Sequence, residues 1–121
     1  MVEHIDYLIT DLVEDKPKEI KGWKLEVSCC PIIYSTIKEY KGIKFKLYIR
    51  SRWGYPYQLR IMYWDEKQKD WDYVEWKDYF EEYSKKCFRE EQYKEAIEEA
   101  EKIWEKLKDK IYEKLNNSKP K

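Results

Sequence analysis

The chain has little of what small enzymes are commonly built around. It holds one histidine, three cysteines and three glycines in 121 residues. With so few glycines, and none in a G-x-G-x-x-G or G-x-x-x-x-G-K pattern, no phosphate loop or dinucleotide fingerprint is present. A histidine-based triad would have to use His4, which has no nucleophile near it in sequence. Neither C-x2-C nor H-E-x-x-H occurs, so the usual zinc spacings are missing. Cys29, Cys30 and Cys87 are an odd number without framework spacing and read as free thiols. A bridge from Cys87 to Cys29 or Cys30 stays open if the source is a hot environment. No cofactor and no metal are expected, and the chain reads as non-catalytic.

Other shortages bound the setting. No run approaches the ~20 apolar residues of a membrane span, so no membrane is expected as a partner. The opening "MVEHIDYLITDLVEDK" is acidic, unlike a secretory signal or a basic transit peptide, and an intracellular, cytoplasmic protein is expected. Glutamine and asparagine number only five, against 25 Lys+Arg and 25 Asp+Glu. That thermophile-like balance resembles proteins whose surfaces rely on ion-pair networks at high temperature. Charged residues make up 41%, yet 12 Tyr, 6 Trp and 3 Phe separate the chain from disordered sequences.

The most telling absence is local. From Ile43 to Trp64 there is no aspartate or glutamate at all. The net charge of zero hides a partition. Residues 1–20 carry two bases and six acids; residues 21–62 carry nine and two; residues 63–83 carry three and eight; residues 84–121 carry eleven and nine. Only the second block is strongly basic, and such asymmetry shapes the field a partner meets.

Hydrophobic spacing gives the architecture. Val2, Ile5, Leu8, Ile9 and Leu12 predict a helix over 3–14, closed by Pro17. The period then shortens to two. Trp23, Leu25 and Val27 alternate with Lys24, Glu26 and Ser28, as in a half-buried strand. "IIYSTIKEY" is β-rich, and Lys41-Gly42 supplies a turn. Ile43, Phe45, Leu47 and Ile49 then point one way, with Lys44, Lys46, Tyr48, Arg50 and Arg52 opposite. After the "WGYP" turn, Leu59, Ile61 and Tyr63 resume the apolar side, with Arg60, Met62 and Trp64 opposite. "WDYVEW" predicts the last strand. Trp76, Tyr79, Phe80, Tyr83 and Cys87 fit a helix or a bent strand. From Tyr93 to Leu115 one apolar stripe predicts a long helix, with Glu90–Lys94 and Glu98–Lys102 in the favourable i,i+4 order. Residues 117–121 read as a frayed tail. The expected fold is one α+β domain over 1–121: an antiparallel β-meander of about five strands, with an N-terminal helix and a long C-terminal helix packed on one face.

If helices cover one sheet face, the other meets solvent with Lys44, Lys46, Tyr48, Arg50, Arg52, Arg60 and Trp64 upon it. Trp71 or Tyr73 would extend it. Three of the four arginines fall in this run. Guanidinium groups fork onto phosphate and stack on rings. Cations for a backbone and ring faces for bases are what single-stranded nucleic acid needs. Nucleic acid is therefore the specific partner expected, although the glycine–aromatic signature of the RNA-recognition motif and the GXXG loop are both missing. The alternative is protein interaction or homodimerisation through Trp53, Tyr55, Tyr57, Trp64 and Trp71, since aromatics and arginine anchor interfaces. A remote alternative is a magnesium-dependent nuclease. In it Asp65 or Asp72 would act with Glu75 and Lys77, although Glu-x-Lys recurs at Glu14–Lys16 and Glu39–Lys41.

Overall fold

The computed structural model describes residues 16–28, 31–52 and 54–118. The helix expected over 3–14, with His4 on it, lies outside the described residues, as do Cys29 and Cys30. The strands are β1 (Glu19–Ile20), β2 (Trp23–Val27), β3 (Ile32–Tyr40), β4 (Ile43–Ser51), β5 (Gln58–Asp65) and β6 (Asp70–Tyr73). They form one antiparallel sheet in sequence order. The strand beyond the five expected is β1, whose two residues are too short to show an alternation.

Two of the turns have a plain backbone cause. Lys21-Gly22 and Lys41-Gly42 each join strands through two residues of positive φ, 48° and 85° in the first and 49° and 83° in the second. Two-residue hairpin loops of this hand need positive φ at both positions, and glycine takes it without strain. The β5–β6 connection is longer. There the Asp65 carboxylate accepts the Lys67 N–H at 2.9 Å and the Gln68 N–H at 3.3 Å.

The inner face of the sheet is mainly apolar. Trp23, Ile32, Tyr34, Phe45, Leu47, Ile49, Leu59 and Ile61 are buried. Complete burial of a side chain such as Leu47 contributes about 1.5–3 kcal/mol. These residues meet two helices, α1 (Tyr79–Tyr83) and α2 (Tyr93–Ser118). The stripe of α2 is buried as its spacing demands, from Ala96 and Ile97 through Trp104 to Leu115. Trp104 lies 5.0 Å from Phe45, and Tyr93 lies 5.7 Å from Tyr34, centroid to centroid. Ion pairs fasten the helix to the sheet beside this contact: Lys21–Glu98 at 2.7 Å and Lys38–Glu101 at 2.6 Å.

Residues 76–87 are helical only at Tyr79–Tyr83. Asp78 starts that turn by accepting the Phe80 N–H at 3.0 Å. The same carboxylate oxygen accepts the Leu59 N–H at 2.9 Å, tying α1 to β5. Ser84 returns to extended backbone, so Cys87 does not continue the stripe and is exposed. Phe88 re-enters the core against Phe80 at 5.2 Å. Strand β2 also departs from simple alternation. A bulge between Leu25 and Val27 sets Leu25 opposite Tyr34 but Val27 opposite Ile33, which moves Val27 off the inner face. No helix among the described residues is long and apolar enough to cross a membrane.

Candidate binding face

The alternation that buries one side of β4 and β5 presents the other. Lys46 stands beside Met62, Tyr48 beside Arg60 and Arg50 beside Gln58. On the next strand, Tyr73 stands beside Met62 and Trp71 beside Trp64. On the far side of β4, Ile33, Ser35, Ile37 and Glu39 of β3 face Arg50, Tyr48, Lys46 and Lys44. Both helices bury their apolar residues in the core on the other side of the sheet.

This outer face divides into two halves of different chemistry. Toward β6 it is aromatic and guanidinium-rich. The Arg60 guanidinium lies 4.2 Å from the centre of the Trp76 ring, and Trp76 meets Tyr73 edge-on at 4.7 Å. Trp64 and Trp71 meet edge-on at 5.4 Å. The Tyr48 and Tyr73 hydroxyls are hydrogen-bonded at 2.8 Å. Burial raises the Tyr48 phenol above its ordinary value, with the Tyr73 hydrogen bond adding to it. Toward β2 the face is aliphatic and locally neutral. Lys46 pairs with Glu26 at 2.9 Å, and the Ser35 hydroxyl donates to the same carboxylate at 2.6 Å. Burial acts to raise the Glu26 carboxyl, but Ser35 and Lys46 outweigh it and hold the group below its ordinary value.

Apart from Lys46, the cations are left open. Among the described residues, Lys44, Arg50 and Arg52 form no ion pair, and Arg60 bonds only the neutral Gln58 amide at 3.1 Å. The acids of residues 63–83 are directed elsewhere. Asp65 closes its own turn, Asp72 accepts the Tyr73 N–H at 2.8 Å, Asp78 caps α1, and Glu75 and Glu82 both hold Lys77. Glu75 also pairs with Lys114 of α2. Those contacts also bear on the nuclease arrangement, because Asp65, Asp72 and Glu75 each serve a local structural bond. Among the described residues no group of three or more His, Cys, Asp or Glu is placed to hold a metal ion.

Of the residues expected on this face, Lys44, Lys46, Tyr48, Arg50, Arg60 and Trp64 share it, and Arg52 is exposed just past the end of β4. The interface set does not form one patch. Tyr57 is only 2% exposed: its hydroxyl donates to the Glu90 carbonyl at 2.8 Å and its N–H to the Phe88 carbonyl at 2.8 Å. It belongs to the core, and its place directly after the "WGYP" turn concealed that. Tyr55 is 71% exposed. Trp53 lies outside the described residues, while Trp64 and Trp71 sit on the sheet. Two apolar residues were not expected on the face from sequence, Trp76 at 68% and Ile37 at 53% exposure. Ile37 was legible as the odd member of an alternating strand. Trp76 was read as the first member of the apolar series ending at Cys87, but it precedes the Asp78 cap of α1 and lies against Arg60 and Tyr73 instead. No protein-family model, no curated protein and no solved structure matches the chain.

Proposed function

We propose that the protein binds single-stranded nucleic acid across the outer face of its sheet, with β4–β6 as the main contact. The observation that carries this is the coincidence of uncommitted cations and presented rings on one surface. Lys44, Arg50 and Arg52 have no carboxylate partner among the described residues, and Arg60 lies on Trp76 beside Tyr73. A guanidinium already stacked on an indole is held flat, and a base can extend such a stack while the cation meets phosphate. Basic side chains on an exposed sheet face are ordinary in themselves. What singles these out is that the acids of residues 63–83 serve turns and helix contacts, and that Glu26, on the face itself, is taken by Lys46.

The test is binding of a labelled single-stranded oligonucleotide as a function of salt. Affinity should fall linearly on a log–log scale, by roughly 0.7 in slope for each phosphate contact. The combined Arg50→Ala, Arg52→Ala, Arg60→Ala variant should lose binding and most of that slope while staying folded. No binding at low salt would end the proposal.

A second reading has its own observation. Val27, Ile33 and Ile37 put an aliphatic strip on the β2–β3 half, Ile37 being half exposed. A second copy or another protein would cover it, and such an association would be insensitive to salt. Sedimentation at low and high salt separates the two.

A further inference from the structure

We infer that the splayed ends of β4 and β5 form a notch that seats one ribonucleotide, as a free nucleoside monophosphate or as the end residue of a bound strand. The inference rests on the nucleic-acid reading of the outer face and adds a separate site to it. Pairing of β3 with β4 runs to Tyr40–Ile43, and pairing of β5 with β6 runs to Asp65–Asp70. Pairing of β4 with β5 stops earlier, at Phe45–Tyr63. Each strand thus continues two residues past its last mutual partner, held only by its outer neighbour. Between them opens a cleft of about 480 Å³, with Lys44 on one wall, Trp64 on the other and Lys67 on the β5–β6 turn. That is within the usual size of a small-ligand site, roughly 300–1,000 Å³.

The lining has the parts of a nucleotide site. Trp64 offers a ring to a base, and Trp71 braces it edge-on. Lys44 and Lys67 supply charge for a phosphate, and neither is in an ion pair among the described residues. Three carboxylates line the cleft as well: Asp65 is taken up by the N–H groups of its own turn and Glu66 pairs with Lys69, whereas Glu39, across the strand from Lys44, faces the ligand space with a carboxylate that can only accept hydrogen bonds. Of a nucleotide's parts, the ribose hydroxyls and exocyclic amines can donate to it, while a phosphate is repelled. A ribose 2′-hydroxyl therefore adds a bond that deoxyribose lacks. Lys44 and Trp64 also belong to the outer face, so a strand lying along β4 and β5 ends at the notch.

The experiment is calorimetric titration of the full chain at low salt with AMP, with 2′-deoxy-AMP, and with the single strands rA6 and dA6. AMP should saturate one site and bind at least tenfold more tightly than its deoxy counterpart. Lys67→Glu should weaken AMP at least tenfold, and Glu39→Ala should bring AMP and deoxy-AMP to equal affinity. Circular dichroism of each variant shows that it is folded. If rA6 displaces AMP, the notch takes a strand end; if both bind together, it takes a free nucleotide. Should rA6 bind through the arginines while AMP never saturates, the notch is refuted and the face stands. If AMP binds but the triple arginine variant holds rA6 as well as the native chain does, the face is refuted and the notch stands. Equal affinity for AMP and deoxy-AMP in the native chain overturns the role of Glu39, and binding of neither AMP nor rA6 overturns both proposals.

Discussion

The two sides of β4 are built from neighbouring residues of one strand and obey opposite rules. Phe45, Leu47 and Ile49 are fully buried against α2, where volume and shape decide everything. Lys44, Lys46, Tyr48 and Arg50 alternate with them and meet solvent or polar partners on other strands, where charge and hydrogen bonding decide. The inner side is therefore a stability surface, and the outer side is the surface proposed for recognition. Substitutions should separate the two cleanly, because a residue's side of the pleat matters more than its position along the chain.

The largest expected effect lies on the inner side. Leu47→Ala removes a side chain with no exposed surface and should cost about 2–5 kcal/mol, read from urea unfolding. A cost within ~0.5 kcal/mol, the usual range for surface sites, would erase the contrast. Next comes the joint between sheet and helix. Asp78→Ala strips an N-cap and leaves the Leu59 N–H without its acceptor, and should cost roughly 1–2 kcal/mol in the same assay. Smaller again is the triple arginine variant on the outer side. Its stability should change by no more than about 1 kcal/mol, most of it from the Arg60–Trp76 stack, while oligonucleotide binding is lost. A larger loss would mean that these arginines serve the fold.

Titration sharpens the same contrast at opposite ends of the pH scale. Burial pushes the inner-side phenols of Tyr34 and Tyr79 up to about 12. A phenol raised in the fold contributes stability that is complete below the unfolded value of about 10 and is lost as the pH rises through the folded one. Alkaline unfolding should therefore set in above pH ~10, with tyrosinate absorbance rising together with loss of structure. On the outer side the sign reverses. Glu26 is lowered, so its share of stability is complete above the unfolded value of about 4.3 and is lost as the pH falls through the folded one. Glu26 is more than a third exposed, so the effect is the smallest of the set. The stability gap between native and Glu26→Gln protein should be present at neutral pH and close in acid. A gap that persisted at low pH would come from packing rather than from charge.

What was legible in the sequence follows from period and burial. Strands β4 and β5 were readable because nine and eight residues alternate without a break. Helix α2 was readable because its stripe runs for six turns without a proline or glycine. Strand β2 misled at its end, where a single bulge carried Val27 to the other side, and a bulge leaves no mark in hydropathy. Tyr57 misled because a turn of Gly, Tyr and Pro reads as surface, whereas a carbonyl from a segment 33 residues away draws its hydroxyl inward. The stack of Arg60 on Trp76 joins a strand to a connecting segment, and nothing in residue order announces such a pairing. The face could be anticipated as a list of side chains on alternate positions. Its division into an aromatic half and a neutral half needed the register.

The two margins of the sheet differ from its broad faces. At one margin β1 is two residues long; at the other β6 is four, with Asp70 and Asp72 alternating along it. A strand from another molecule would find too few backbone partners at the first margin and carboxylates at the second. Growth by stacking end upon end into fibrils is thereby discouraged, even at high concentration. This tyrosine- and tryptophan-rich chain can display its rings on a flat side without also offering a seam for polymerisation.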